Sequence, residues 1–287
     1  MGVQVPPRTL SRSTLSVVLP GRPPAAVGYL GFVPHLPRVR AIRYVTPLRE
    51  GGSLPGVVEA DDLGTYVAKF RGAGQGLKVL VAEVIVGQLA RHIGIRTPEL
   101  VVLDLPADIA RYEADEEVQD LLNASHGSNL GVDLLPGAFG YDGGTPPPTQ
   151  EATAILWLDA FTLNVDRTWS NPNLLRWHRQ VWAIDHGAAL YVHHSWPSKA
   201  PDAERFASLP YAADSHLLRS VAEPTLAIHD QMRDRLSHAA IDDIVSAVPS
   251  EWLELTPWLL DTDAVRAAYV DHLRARLATP QRWWVTA

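Results

Sequence analysis

The sequence predicts an α+β chain in two lobes, a small antiparallel-sheet N-lobe with one main helix and then a mainly helical C-lobe. Three observations predict it. Short β-like runs separated by Gly and Asp turns fill residues 40–70. One strongly apolar helical period follows at 80–93. Beyond a Gly- and Pro-rich stretch at 137–148, apolar residues recur mostly at helical spacing. The lobes are therefore expected at 39–137 and 138–287, behind a leader over 1–38.

Composition narrows the classes. At 287 residues the chain can build a sizeable core, and 46% apolar with 20% charged residues is the balance of a globular protein, not a disordered one. No uninterrupted apolar run approaches the ~20 residues of a membrane-spanning helix, so no membrane partner is expected. A net charge of −7 provides no field for nucleic-acid phosphates, and direct nucleic-acid binding is not expected. Zero cysteines exclude disulfides, thiolate metal cages and a cysteine nucleophile, and fit a reducing cytoplasm. Lysine occurs only at Lys69, Lys78 and Lys199 among 25 basic residues, a habit of G+C-rich bacterial genomes that makes each Lys conspicuous.

The elements follow in order. Seven prolines before residue 38, with no sustained period, give an irregular leader, to which a miscalled upstream start codon is an alternative origin. Being unable to bury much surface, that leader is expected to be dispensable for stability. Residues 40–46, 56–60 and 66–70 read as three strands of a meander, broken at Gly51–Ser53 and at 61–64. The helix at 80–93 ends in His92 and Gly94, as C-termini do. Two buried strands are expected at 97–105 and 130–135, with a charged helix over 106–122 between them. After the linker come helices at 150–163, 225–238, 242–248 and 262–277.

The informative stretch runs from Asn164 to Gly187. Residues 173–177 and 181–184 read as a hairpin joined through 178–180, with residue 178 taken as the midpoint of the pairing. Position 171 then faces position 185, and Asp166 lies on the loop entering the same end. An amide and two carboxylates converging there make a hard oxygen site of the kind that takes Mg²⁺ shared with substrate phosphates. Asp, then Asn five residues on, a hairpin and Asp-x-Gly is also the spacing of the protein-kinase catalytic loop and metal-binding Asp, so Asp166 is the candidate base and Asn171 and Asp185 the candidate metal ligands. The plainer alternative is that all three are turn formers.

That chemistry requires a strand Lys for the ATP phosphates and a helix Glu to hold it. Lys69 ends the third strand, and Glu83 is the only acidic residue between Lys69 and Glu99. A carboxylate on so apolar a helix is costly to bury unless a cation meets it, although it can also mark the polar edge of the helix. Gly51, Gly52 and Ser53 lie between the first two strands, where backbone N–H groups can cradle phosphates. Ser53 is there a candidate for self-modification, or simply a turn hydroxyl. The stretch Gly72–Lys78 lacks the closing Gly-Lys-Ser/Thr of a Walker loop and reads as a connector, with Lys78 in reach of a phosphate. His186, His193 and His194 fit no zinc pattern, and the adjacent pair, on an apparent strand, would point to opposite faces. The nine Trp are expected to pack.

These residues resemble the HipA-like family of atypical serine/threonine kinases, distantly similar to phosphatidylinositol kinases. The resemblance is carried by Val39–Val45, Gly51–Pro55, Val58–Asp61, Val67–Gly74, Val81–Val84, Asn164–Arg167 and Ile184–Gly187 and covers about 39–252. It implies a protein-kinase-like fold and transfer of the γ-phosphoryl of Mg²⁺-ATP to a Ser or Thr of a protein substrate. Lys69 is implied as the ATP lysine, Asp166 as the base, Asn171 and Asp185 as magnesium ligands, and 130–135, with Leu135, as the hinge strand receiving adenine. Thr168 stands where the phosphoinositide kinases have His. A small partner protein encoded nearby is a further implied partner, whereas the toxin role of the full-length HipA proteins and a DNA-binding antitoxin partner are left open. A pseudokinase, a nucleotide-gated binding module and a small-molecule kinase similar to antibiotic phosphotransferases are the alternatives.

Overall fold

The computed structural model describes residues 35–48 and 54–286. The predicted phosphate turn, Gly51, Gly52 and Ser53, and almost all of the predicted leader lie outside the described residues.

The described chain is an α+β fold whose first part is a closed barrel rather than an open meander. Strands β1 (Arg38–Pro47), β2 (Gly56–Ala60) and β3 (Thr65–Lys69) pair antiparallel in succession. β3 continues to β5 (Gly127–Asp133), and β5 pairs antiparallel with β4 (Leu100–Leu105). Closure comes from a parallel pairing of β1 with β4, from Arg38 opposite Val102 to Arg40 opposite Asp104, which leaves no free sheet edge. The end of the expected leader is consequently built in. Leu36 packs against the main core and Val102 N–H donates to the Pro37 carbonyl at 2.8 Å.

Strand alternation sorts the side chains. Tyr66 and Ala68 on β3 and Val101, Leu103 and Leu105 on β4 join one small apolar cluster, completed by Val118 and Leu122 of α2 (Glu116–Ala124). The opposite face of the same strands, Leu100 and Val102 included, packs into a larger cluster with α1 (Leu77–Ile93). Lys69 falls on that second parity. α2 is shorter than the predicted 106–122 helix because Asp115 caps it, accepting from the N–H groups of Glu117 and Val118, so that turns fill the preceding stretch. β5 begins before the predicted 130 because its ladder to β4 extends back to Gly127, past the Lys69–Leu130 pair that ends its ladder to β3, and Leu135 lies beyond its end.

The Gly- and Pro-rich stretch is more than a linker. It contributes β6 (Phe139–Gly140), which pairs with the hairpin β7 (Leu174–Trp177) and β8 (Gln180–Ala183). Between β6 and β7 runs the almost wholly buried helix α3 (Thr149–Thr162). The remaining helices are α4 (Ala203–Ser208), absent from the sequence reading, α5 (His229–Arg235), α6 (His238–Ser246) and α7 (Thr262–Leu277). A 3₁₀ turn replaces the predicted start of α5, and α6 begins earlier than expected because Ser237 caps it. His193 and His194 sit in a 3₁₀ turn, Tyr191–Ser195, not on a strand. Trp157, Trp252 and Trp283 are buried, in line with packing, whereas Trp169 and Trp258 are exposed. Among the described residues no helix is long and apolar enough to cross a membrane.

Candidate active site

Three elements bring charge to one point. Lys69 at the end of β3 is 13% exposed, and its Nζ donates to Glu83 Oε1 on α1 and to Asp185 Oδ1, the latter at 2.8 Å. Glu83, 3% exposed on an otherwise apolar stretch of helix, is the buried carboxylate that needed a cation. Burial works against the Lys69 ammonium, but the carboxylates of Glu83 and Asp185 outweigh it and raise its pKa, so Lys69 stays charged. The same burial pushes the Glu83 carboxyl up against the pull of Lys69. Desolvation alone would raise Asp185 too; Lys69 reverses it and holds Asp185 at about 2, ionised at any physiological pH.

Asp185 follows β8 after one residue and takes the left-handed conformation, φ +53°. Gly187 explains how its loop comes so near to α1. A Cβ there would stand 2.6 Å from Val79 Cγ1 and 3.1 Å from Glu83 Oε1, so a side chain would push the loop off the helix.

The second centre is the loop from Asn164 to Asn173. Asp166 Oδ2 accepts from the Asn171 amide at 2.7 Å, its N–H donates to Asn164 Oδ1 at 3.2 Å, and its carbonyl accepts from Asn173 Nδ2 at 2.8 Å. The hairpin register departs from expectation by half a residue. Its turn is the two residues His178 and Arg179, both with positive φ, so Trp177 pairs with Gln180 and Ile184 N–H reaches the Asn173 carbonyl. Position 171 is therefore not directly opposite 185. Asn171 is bonded to Asp166, and Asp185 to Lys69.

Beneath both centres lies a network absent from the sequence reading. Asp159 on α3, fully buried, accepts from Arg167 Nε at 2.5 Å, from Asn164 Nδ2 at 2.9 Å and lies 3.0 Å from His216 Nε2. Arg167 also donates to the Asn173 and Ile184 carbonyls and faces His186 Nδ1 at 3.3 Å. One guanidinium thus ties the Asp166 loop to the stretch entering Asp185. Burial opposes the Asp159 charge, and Arg167 and His216 more than reverse that, lowering its pKa. Burial, reinforced by Arg167, drives His186 down to about 3 and keeps it neutral.

The other predicted residues are placed as follows. Leu135 is buried past the end of β5. Leu48 N–H donates to the Pro55 carbonyl at 2.7 Å, and Gly51, Gly52 and Ser53 fall in sequence between these two residues. Lys78 pairs with Glu254 at 2.6 Å. Among the described residues no three His, Asp or Glu side chains gather as a metal-binding group. The donor set that remains, the half-exposed Asp185 carboxylate and the exposed Asn171 amide, is all-oxygen and incomplete, which suits Mg²⁺, an ion that takes most of its shell from phosphates and water.

This geometry is that of a kinase-type phosphotransferase. The sequence model of the HipA-like kinases matches residues 42–286, and the chain belongs to that family. Among solved structures it is similar to the Helicobacter pylori proinflammatory kinase CtkA, with 11% identity and a TM-score of 0.43 over 78% of this chain and 90% of that one. It is also similar to a Golgi casein kinase, with 12% identity and a TM-score of 0.39 over 86% of this chain and 74% of that one. No curated protein matches the sequence.

Proposed function

We propose that the chain transfers the γ-phosphoryl group of Mg²⁺-ATP to a Ser or Thr hydroxyl of a protein, with ATP held between an N-lobe, 39–137, and a helical C-lobe, 138–287. The observation that carries this reading is the Lys69 ammonium, ion-paired with Glu83 and Asp185 from three separate elements. A lysine kept charged on a buried strand end is a fixed cation for the α and β phosphates, and Glu83 sets its position. The Asp185 carboxylate and the Asn171 amide oxygen would hold Mg²⁺, which, when bound, neutralises phosphate charge. Leu135 would line the adenine side, and Gly51, Gly52 and Ser53 would cover the phosphates.

Asp166 is placed to act on the acceptor. One of its carboxylate oxygens is oriented by Asn171, and the other is left for an incoming hydroxyl. As the hydroxyl oxygen bonds to the γ-phosphorus, the bond to the β–γ bridging oxygen breaks, ADP departs, and the hydroxyl proton passes to Asp166. Thr168, bonded to Ser170 at 2.9 Å, supplies no imidazole to share that proton, so the catalytic charge rests on Asp166.

Incubation with γ-labelled ATP, magnesium and Ser/Thr acceptor peptides or proteins tests the reading. Asp166→Ala is expected to lower transfer by ~10²–10⁴ while sparing ATP affinity. Binding of ATP without transfer to any acceptor would favour a nucleotide-gated binding module instead, and label on small hydroxyl compounds alone would favour a small-molecule kinase.

A further inference from the structure

Trp169 lies three residues after Asp166 and two before Asn171, on the loop an acceptor must reach. Its side chain is 59% exposed, an expensive way to use the largest apolar side chain. The ring is nevertheless held. It stacks on Tyr141, with centroids 6.4 Å apart and planes inclined by 24°. Tyr141 is buried, its N–H donates to the Leu174 carbonyl at 2.9 Å, and the Arg176 guanidinium lies over its ring, 5.8 Å from the centroid. Arg176 is in turn anchored by the Arg179 and Thr145 carbonyls. Gly143, at φ +80°, keeps the place open, since a Cβ there would stand 2.8 Å from Trp169 Cη2. Beside Asp166 on its other flank, Val165 is exposed as well.

The Trp169–Tyr141 stack, its Tyr ring held by Arg176 and the backbone, presents an anchored aromatic face beside the candidate base that loses little entropy when covered. We propose that Trp169, seated on Tyr141, recognises the acceptor protein through an aromatic or large aliphatic side chain within about three residues of the phosphorylated Ser or Thr. The proposal rests on Asp166 as the base. Three residues of loop span at most ~11 Å, and an extended acceptor covers ~3.3 Å per residue, which sets that window. The nucleotide is not the occupant, because the phosphate-side groups, Lys69 and Glu83, come from β3 and α1, whereas Trp169 extends the loop that would meet the hydroxyl.

A positional-scanning library of Ser/Thr peptides with γ-labelled ATP and magnesium, read alongside calorimetric ATP affinity, tests it on the full chain. The wild-type chain is expected to select Phe, Tyr, Trp or Leu near the acceptor. Trp169→Ala is expected to flatten that selection and lower kcat/KM for the preferred peptide about tenfold, with ATP affinity within threefold. Trp169→Phe is expected to retain it. An unchanged selection in Trp169→Ala, wild-type transfer with no apolar preference, or a large loss of ATP affinity in Trp169→Ala would each overturn the inference. A wild-type chain that binds Mg²⁺-ATP yet modifies no peptide also counts against it, and one that binds no ATP overturns the phosphotransferase reading beneath it.

Discussion

At the scale of single residues, Asp159 holds the most consequential position outside the Lys69 cluster. Its carboxylate is buried among Arg167, Asn164 and His216, so its removal leaves an uncompensated guanidinium in the interior. Asp159→Ala is expected to cost about 3–5 kcal/mol in urea unfolding, the range for breaking a buried pair from one side. A loss under ~1 kcal/mol would mean that water enters and solvates Arg167. The residues differ in how far the sequence disclosed them. Lys69, one of three lysines, and Glu83, alone on an apolar helix, are conspicuous by type, and the two form an ion pair. Asp159 carried the same signal, an acid among Ile, Leu, Trp, Ala and Phe, but its partner lies eight residues on in a stretch whose Arg reads as part of a motif. Asn171 was misplaced by half a residue of register, which apolar alternation alone does not resolve.

Among the elements, long periodic helices and the first strands were legible because burial on one face writes itself into the spacing of apolar residues. α1, α3 and α7 begin and end within three residues of the expected bounds. Barrel closure was not legible, since a parallel pairing between β1 and β4 joins segments some sixty residues apart and has no local signature. α4, only six residues long, is likewise too short to establish a period. The hairpin turn yields a test. Arg179 occupies left-handed backbone at φ +66°, a conformation that costs an L-residue roughly 1 kcal/mol and glycine almost nothing. Arg179→Gly is therefore expected to leave stability unchanged or raise it by up to ~1 kcal/mol, measured as the urea midpoint. A loss greater than ~1 kcal/mol would show that the side chain, not the turn, stabilises the hairpin.

For the whole molecule, buried imidazoles set the response to acid. Burial lowers the pKa of His186 to about 3 and puts that of His193 well below its ordinary value. The unfolded chain takes up protons on these rings near pH 6.5, whereas the folded chain keeps them neutral. Stability is therefore complete above ~6.5 and falls as the pH drops below it, by about 1 kcal/mol per ring per pH unit. Urea midpoints at pH 7.5 and 5.5 check this, and equal midpoints would contradict it. The central claim, that Lys69 and Asp185 serve a magnesium-bound nucleotide, is tested most directly by isothermal titration of ATP with magnesium into the full chain and into Asp185→Ala. The expected result is saturable, magnesium-dependent binding at or below millimolar ATP that Asp185→Ala weakens at least tenfold. No binding at millimolar ATP, or equal affinity in the two chains, would contradict it.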